Sequence, residues 1–221
     1  MGAKGMVPEI VARFGAVEVS STVVYSLIAS GVLIVLAVAV RIGMQRGGSR
    51  IPLAAECLVE HLDGIMSEMS GADARPFTPL IVTLALFIAT ANLLGLAPGM
   101  HSPTADFSTT AALAAIVFVA VPFYGIRVRG LRGYLRHYLE PSPLLLPLEI
   151  VTEFSRTLAL AVRLFGNVMS EELVIAVMLT IAGLFVPVPL MLLAVLTGVV
   201  QAYIFTVLTV VYVSAAVRAR A

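Results

Sequence analysis

Long apolar runs separated by short polar stretches dominate the pattern of this sequence. The first run covers about residues 23–40, and a bilayer crossing needs about 20 mostly apolar residues. Two further runs cover about 77–97 and 109–126. The stretch 98–106 between them contains two prolines and a glycine, which is typical of a short loop. The pattern therefore predicts three membrane crossings before residue 127.

The stretch 51–69 differs from these runs because it mixes apolar and acidic residues. Its apolar residues recur at roughly helical spacing, and its acidic residues fall on the other faces. The apolar positions are Leu53, Cys57, Leu58, Leu62, Ile65, Met66 and Met69, and the acidic ones are Glu56, Glu60, Asp63 and Glu68. The pattern predicts an amphipathic helix that lies on the membrane surface.

The last third of the chain predicts two unusually long helices. Residues 148–185 and 190–217 contain no proline, and Pro187 and Pro189 mark a turn between them. At 1.5 Å per residue, helices of about 38 and 28 residues measure roughly 57 Å and 42 Å. The hydrocarbon core of a bilayer is only about 30 Å thick. We therefore expect both helices to tilt strongly or to end along the membrane surface, unless Gly166 or Gly183 breaks the first one.

The composition agrees with lipid as the surrounding medium. Of the 221 residues, 60% are hydrophobic and 12% are charged, and the mean hydropathy is +1.03. The single cysteine rules out an internal disulfide framework, and the three histidines have no metal-ligand spacing. Phosphate-binding and dinucleotide-binding glycine motifs are absent from the sequence. We expect no cofactor, no metal, no nucleic-acid partner and no catalysis on a soluble substrate.

The distribution of arginines predicts the orientation in the membrane. With five crossings, Lys4 and Arg13 fall on one side, and ten arginines fall on the other. These ten are Arg41, Arg46, Arg50, Arg75, Arg127, Arg129, Arg132, Arg136, Arg218 and Arg220. Because positive loops stay in the cytoplasm, the amino terminus should lie outside and the carboxyl terminus inside.

The predicted fold class is an all-α integral membrane protein with about five crossing helices and one surface helix. We expect a single membrane domain over residues 1–221. Its predicted parts are an external segment at 1–22, the first span and surface helix at 23–76, a helical hairpin at 77–126, a cytoplasmic connection at 127–147, and a long tilted helix pair at 148–221.

Ionisable and polar residues interrupt the fourth apolar run, and Arg163 is the least expected of them. The set is Glu149, Glu153, Arg156, Arg163, Asn167, Ser170, Glu171 and Glu172. An arginine at the bilayer centre costs roughly 2.5–3.5 kcal/mol on insertion scales, so it must face protein or water. At 100° per residue, Arg163 and Asn167 share one face of a helix, and Glu172 lies on the opposite face. Arg163 is either a structural partner of an intramembrane carboxylate or a functional charge.

Several segments closely resemble subunit a of F-type ATP synthases. They are SRTLALAVRLFGN, SEELVIAVML and QAYIFTVLTVVYVS, together with ANLLGLAP, PTADFSTT and RVRGLRG earlier in the chain. The resemblance covers about residues 54–214 and is most specific around Arg163 and Asn167. It implies a non-catalytic subunit with two aqueous half-channels, which pass protons or sodium ions to a ring of small two-helix c subunits. The implied partners also include the peripheral-stalk b subunit and the rest of the ATP synthase, in a bacterial-type plasma membrane.

The resemblance also implies roles for individual residues. Arg163 would be the essential arginine facing the c-ring, with Asn167 beside it, and Glu149 would belong to the cytoplasmic half-channel. Glu172 and Gln201 would line the outer half-channel and face each other. The remaining positions implied near the outer entrance are Asn92 and Asp106.

Two positions depart from one well-studied branch of that family. Ala194 stands where that branch has a histidine, and Ala159 stands where it has a serine. The outer pathway is therefore expected to use other polar groups, with Glu171 as a candidate. Two other classes of protein remain open at this point: a stand-alone secondary transporter or proton channel with Arg163 as a counter-ion, and a purely structural assembly subunit.

Overall fold

Five long helices make up most of the computed structural model. The structure describes residues 10–14, 17–46, 57, 60, 63–64, 68, 76–97, 100–139, 146–183 and 185–217. The helices are α1 (Ser21–Arg46), α2 (Thr78–Leu94), α3 (Phe107–Leu139), α4 (Leu146–Ala182) and α5 (Pro187–Val217). Four of them are long and apolar enough to cross a membrane, and α2 is a shorter apolar helix of 17 residues. The predicted all-α membrane fold with two long final helices is confirmed.

A small β-hairpin precedes the first helix and was not predicted from the sequence. Strands β1 (Ile10–Phe14) and β2 (Val17–Ser20) pair in antiparallel register, with an irregularity between Ile10 and Ala12. Helix α1 follows β2 directly. The hairpin lies within the segment 1–22 that the sequence assigned to the outside.

The structure describes the predicted surface helix only in part. Its described residues, Cys57, Glu60, Asp63, Gly64 and Glu68, are all helical. The other residues of 51–69 lie outside the described part of the chain. The Thr78 hydroxyl at the start of α2 donates a 2.6 Å hydrogen bond to Asp63, which ties this stretch to the helix bundle.

The apolar part of α3 agrees with the predicted third span. The sequence placed the end of that span near residue 126, because several arginines follow it, and the apolar span of the structure covers Phe107–Val128. Helical residues continue to Leu139 beyond a break at Gly130, whose φ is 74°. A positive φ suits glycine, which lacks the Cβ that disfavours this conformation. The apolar span therefore ends before the break at Gly130, close to the predicted residue 126, and a short helical stretch that the sequence did not predict follows the break.

Helix α4 is continuous through Gly166 and ends at Gly183. The helix has 37 residues, and Gly183 has a φ of 74°, a left-handed conformation that commonly terminates helices. Helix α5 begins at Pro187, where the missing N–H of proline costs no intrahelical hydrogen bond. The two long helices thus meet in a turn as predicted, but Pro187 and Pro189 lie in the first turn of α5 and not in that connecting turn.

The helices alternate in direction, and their shared core lies among α2, α3, α4 and α5. Its largest fully buried side chains include Ile81, Ile88, Val117, Leu160, Leu164 and Phe205. Near one end of the bundle the Thr22 hydroxyl of α1 reaches Asp106, and Asn92 of α2 reaches Gly198 of α5. We call this end, which carries the loop 100–106, the loop end. Helix α4 stays mostly exposed along its length, as does α1.

Candidate functional site

A carboxylate of α4 meets the loop 100–106 at the loop end of the bundle. Oε1 of Glu172 accepts a 2.6 Å hydrogen bond from the Ser102 backbone N–H. Oε2 of Glu172 lies 3.4 Å from Nδ1 of His101. The His101 side chain is 55% exposed and that of Glu172 is 27% exposed, so the pair stands between the protein interior and the surroundings.

A buried hydrogen-bond network fixes this loop on α2 and α5. The Ser102 hydroxyl donates to the Ala91 carbonyl at 3.0 Å, and the Thr104 hydroxyl donates to Oδ1 of Asn92 at 2.6 Å. Nδ2 of Asn92 in turn donates to the Gly198 carbonyl at 3.0 Å. Asn92 therefore uses both ends of its amide to join three elements, as a buried polar side chain must.

A small cavity lies beside this network and the two glutamates of α4. Its lining includes Asn92, Ser102, Glu171, Glu172 and Ala194. Its volume is about 30 Å³, which is room for roughly two waters when one needs about 10–15 Å³. Both carboxylates and an amide thus border one space large enough for water.

A polar contact between the two long helices joins Asn167 of α4 to Gln201 of α5. Nδ2 of Asn167 donates a 2.9 Å hydrogen bond to Oε1 of Gln201, which is 5% exposed. The sequence predicted that Gln201 faces Glu172. The pairing with Asn167 corrects this, because Glu172 lies five residues further along α4 and, at 100° per residue, about 140° around it. Glu172 turns instead toward Ser102 and His101.

Arg163 lies on the exposed flank of α4, one helical turn before Asn167. Its neighbours Leu160 and Leu164 are buried in the core, whereas Arg163 and Val162 are exposed. Among the described residues, no side chain forms an ion pair or hydrogen bond with the Arg163 guanidinium. Arg163 is therefore a charge within a membrane-length helix without a counter-charge in the described chain.

A second arginine of α4, Arg156, has partners among the described residues. Arg156 lies 3.7 Å from a carboxylate oxygen of Glu153 and 5.7 Å from the ring centroid of Tyr212 on α5. Seven residues separate it from Arg163, which places both on nearly the same face of the helix. Glu149 lies one turn before Glu153 in the first turn of α4 and is half-buried. These carboxylates are far from Glu172 along the helix.

Asp106 has a structural explanation at the start of α3. Its Oδ1 accepts hydrogen bonds from the N–H and the hydroxyl of Ser108, both at 2.9 Å, as an N-terminal cap does. Its Oδ2 accepts the Thr22 hydroxyl of α1 at 2.9 Å. Burial tends to raise the pKa of Asp106, but these hydrogen bonds outweigh it and hold the pKa below its usual value.

The sequence analysis did not select His101, Ser102 or Thr104. All three lie in the loop before α3. Ser102 reaches Glu172 of α4 across 70 positions of sequence, and its neighbour His101 reaches the same glutamate, whereas Thr104 reaches Asn92 of α2 across 12 positions. The polar run HSPT was a usable signal, because loops that carry function are enriched in such residues. Its partners could not be identified without the fold. Of the predicted residues, the structure brings Asn92, Glu171 and Glu172 to one cavity and pairs Asn167 with Gln201.

Comparison with known proteins shows which sequences this chain is similar to. Residues 23–214 match the family described as ATP synthase A chain. The chain is 45% identical to "ATP synthase subunit a 1" of Hahella chejuensis over 93% of this chain and 88% of that protein. It is 52% identical to "ATP synthase subunit a 2" of Bradyrhizobium sp. over 71% of this chain and 73% of that protein. It is also 44% identical to "ATP synthase subunit a" of Albidiferax ferrireducens over 94% and 91% of the two chains.

Proposed function

Because the chain belongs to the ATP synthase A chain family, we propose that it is the ion-translocating stator subunit of a rotary ATP synthase. In this role it provides two aqueous half-channels that load and unload carboxylates on a ring of c subunits. Its partners are that ring, the peripheral-stalk b subunit and the rest of the complex. It is a multi-pass protein of the bacterial plasma membrane and holds no catalytic site for ATP.

The observation that carries this proposal is that Arg163 is exposed and has no ion-pair partner among the described residues. A charge at membrane depth is costly and ordinarily faces a bundle interior, a cavity or a partner. Arg163 faces outward from the described chain and has no described counter-charge. A carboxylate on another subunit in the membrane would offset the cost of placing the charge of Arg163 at membrane depth. A ring whose carboxylates pass Arg163 one after another fits this requirement.

The polar groups at the loop end support an outer half-channel. The cavity bordered by Glu171 and Glu172 lies near the loop, and the Asn167–Gln201 pair lies deeper along α4. Nine residues separate Glu172 from Arg163, which is roughly 13.5 Å of helix. Polar side chains therefore mark a route from the loop end toward the arginine, along the seam between α4 and α5.

The other half-channel would start at the beginning of α4. Glu149 and Glu153 are both half-buried and lie one turn apart. Arg163 lies between these carboxylates and the loop-end cavity along the helix. The two groups of carboxylates are thus separated by the arginine, as two half-channels need to be.

The proposed cycle moves one ion through both half-channels. An ion enters from the outside and binds an empty ring carboxylate, which then loses its charge and can turn through lipid. After most of a turn the site meets the inner half-channel and releases the ion to the cytoplasm. The guanidinium of Arg163 keeps its charge, attracts the emptied carboxylate and blocks direct leakage between the channels.

The orientation follows from the arginine distribution and the alternating helices. The loop end would face outside, together with the β-hairpin, and Arg127 and the start of α4 would face the cytoplasm. A stand-alone transporter is less well supported. Such proteins bind their substrates at the interface of repeats inside the bundle, whereas Arg163 points away from the described bundle.

Arg163→Ala in the complete, reconstituted complex tests the proposal. We expect ion-driven ATP synthesis to be abolished and passive ion leakage to rise, because no fixed positive charge discharges the passing carboxylate. Arg156→Ala is the matched control, since it removes the same side chain from nearly the same face and should retain most activity. Ring content of the purified complex verifies assembly. An assembled Arg163→Ala complex that still makes ATP would overturn the proposed function.

A further inference from the structure

The imidazole beside Glu172 comes from a loop and not from the helix that carries the glutamate. We propose that His101 transfers protons between external water and Glu172 at the mouth of the outer half-channel, an assignment that rests on the function proposed above. His101 was not selected from the sequence pattern. In this proposal the ion taken up at the outer site is a proton.

The geometry places His101 between water and the carboxylate. Nδ1 lies 3.4 Å from Oε2 of Glu172, and more than half of the imidazole surface is exposed. Proton transfer needs heavy atoms roughly 2.6–3.2 Å apart or one bridging water, and such contacts tighten in the working state. The other carboxylate oxygen is occupied by the Ser102 N–H, so Oε2 is the oxygen directed at the imidazole.

Holding the loop in place does not account for His101. The Ser102 hydroxyl, the Ser102 N–H and the Thr104 hydroxyl already fix the loop on α2 and α4. These groups are buried, whereas the histidine is exposed. An exposed ion pair contributes only about 0–1 kcal/mol to stability, so the imidazole adds little to this anchoring. The role assigned to His101 is therefore proton transfer and not anchoring of the loop.

Among the described residues at this carboxylate, the imidazole is the only side chain that can take up a positive charge. Helix α4 supplies Glu171 as the second carboxylate of the cavity. The other lining residues are uncharged: Asn92, Gly95 and Leu96 from α2 and its end, Ser102 from the loop, Val168 and Ile175 from α4, and Ala194 from α5. A proton that arrives at His101 therefore finds two acceptors on α4 and no competing described base on α2 or α5.

The transfer balances as follows. The imidazolium releases its Nδ1 proton to Oε2 of Glu172, which leaves a neutral imidazole and a neutral carboxyl group. The carboxyl group passes that proton onward through the water-sized cavity and becomes a carboxylate again. The imidazole takes the next proton from external water. Imidazole suits this step because it exchanges protons readily near neutral pH.

His101→Ala in the reconstituted complex tests the proposal, with ATP synthesis measured against external pH at constant membrane potential. We expect the rate near neutral pH to fall at least about tenfold, since a positioned acid–base group contributes about 10²–10⁴-fold when its step limits the rate. The loss should shrink as the external side becomes more acidic. Added imidazole should restore part of the rate, because the site is open to water. His137→Ala removes a histidine from α3 beyond Gly130 and should leave the pH profile unchanged.

A histidine placed on another element distinguishes proton transfer by the imidazole from a structural role of His101. Ala194 lines the same cavity from α5, so Ala194→His combined with His101→Ala offers Glu172 an imidazole from another element. We expect this double variant to recover part of the rate and of the pH dependence. Recovery supports proton transfer, since the double variant cannot restore any contact made by the loop.

Three results would overturn the assignment while leaving the stator function intact. The first is a wild-type rate and pH profile in His101→Ala. The second is a loss that neither imidazole nor the relocated histidine reverses. The third is wild-type synthesis that depends on sodium and not on external pH. In each case an inactive Arg163→Ala complex would show that the proposed function itself still stands.

Discussion

Replacing Gly95 with alanine should damage the outer site without touching any ionisable group. Gly95 caps α2 with φ −65° and ψ −14°, a conformation that alanine adopts without strain. An added Cβ, however, would lie 2.6 Å from Cβ, 2.8 Å from the nitrogen and 2.9 Å from Cα of Ser102. Carbon atoms in ordinary contact are about 3.5–4.0 Å apart, so the loop must retreat by roughly 1 Å.

That retreat has a calculable consequence at Glu172. A shift of Ser102 by roughly 1 Å would lengthen its 2.6 Å bond to Oε1 by up to that amount, which at the full displacement exceeds the hydrogen-bond range of about 2.7–3.2 Å. Leaving a buried N–H unpaired costs about 1–3 kcal/mol, and overpacking costs a similar amount. Since relaxing the clash is what breaks the bond, the two costs partly overlap. We expect a total loss of about 3 kcal/mol.

Thermal inactivation of ATP-driven ion pumping in the purified complex measures this loss, alongside the rate of ATP synthesis at low temperature. Gly95→Ala should inactivate at a lower temperature and run more slowly, because the loop no longer holds Glu172. Gly31→Ala in α1 is the control, since a Cβ there meets nothing within 4 Å. A Gly95→Ala complex with wild-type inactivation temperature and rate would refute the close approach on which this reasoning depends.

Three further predictions concern other contacts. Asp106 has a lowered folded pKa, so its stabilisation is fully present above its usual pKa of about 4 and is lost as the pH falls through the lower folded value. In Asp106→Asn the drop in thermal stability at acidic pH should be smaller than in the wild type. An unchanged drop at acidic pH would contradict this. A double-mutant cycle with Asn167→Ala and Gln201→Ala should give a coupling energy of about 0.6–1.7 kcal/mol, whereas strictly additive losses would argue against the pair. Single cysteines at Met100 should react with external reagents and those at Gly133 should not, and the reverse result would invert the proposed orientation.

Properties decided within one helix were predictable from the sequence. The apolar runs and the proline pair near Pro187 gave the two long helices, because helix length depends on local pattern and on where proline removes a hydrogen bond. The third span, predicted at about 109–126, likewise agrees with the apolar span Phe107–Val128. The helical residues beyond the break at Gly130 were not predicted within the expected cytoplasmic connection, although arginine is a good helix former.

Properties decided between elements were not predictable. Asn167 pairs with Gln201 across 34 positions of sequence, and Glu172 meets Ser102 across 70 positions. Helical periodicity places each of these side chains on a face but does not say which neighbour that face meets. Asp106 is an intermediate case. Its cap to Ser108 is a local signal that could have been recognised, whereas its bond to Thr22 needed the fold.

The packing of α4 fixes the direction of Arg163, which has no counter-charge among the described residues. Gly198 of α5 lets Asn92 of α2 approach closely, and Leu164 of α4 is fully buried against the core. The hydrogen bond between Asn167 and Gln201 fixes the rotation of α4 about its axis one turn from Arg163. None of these contacts satisfies the guanidinium itself, whose insertion costs roughly 2.5–3.5 kcal/mol. The chain therefore holds the arginine in a set direction and leaves its cost uncompensated among the described residues. A carboxylate on a partner subunit at the same depth would compensate this cost. If that partner moves, successive carboxylates can approach Arg163 and leave it again.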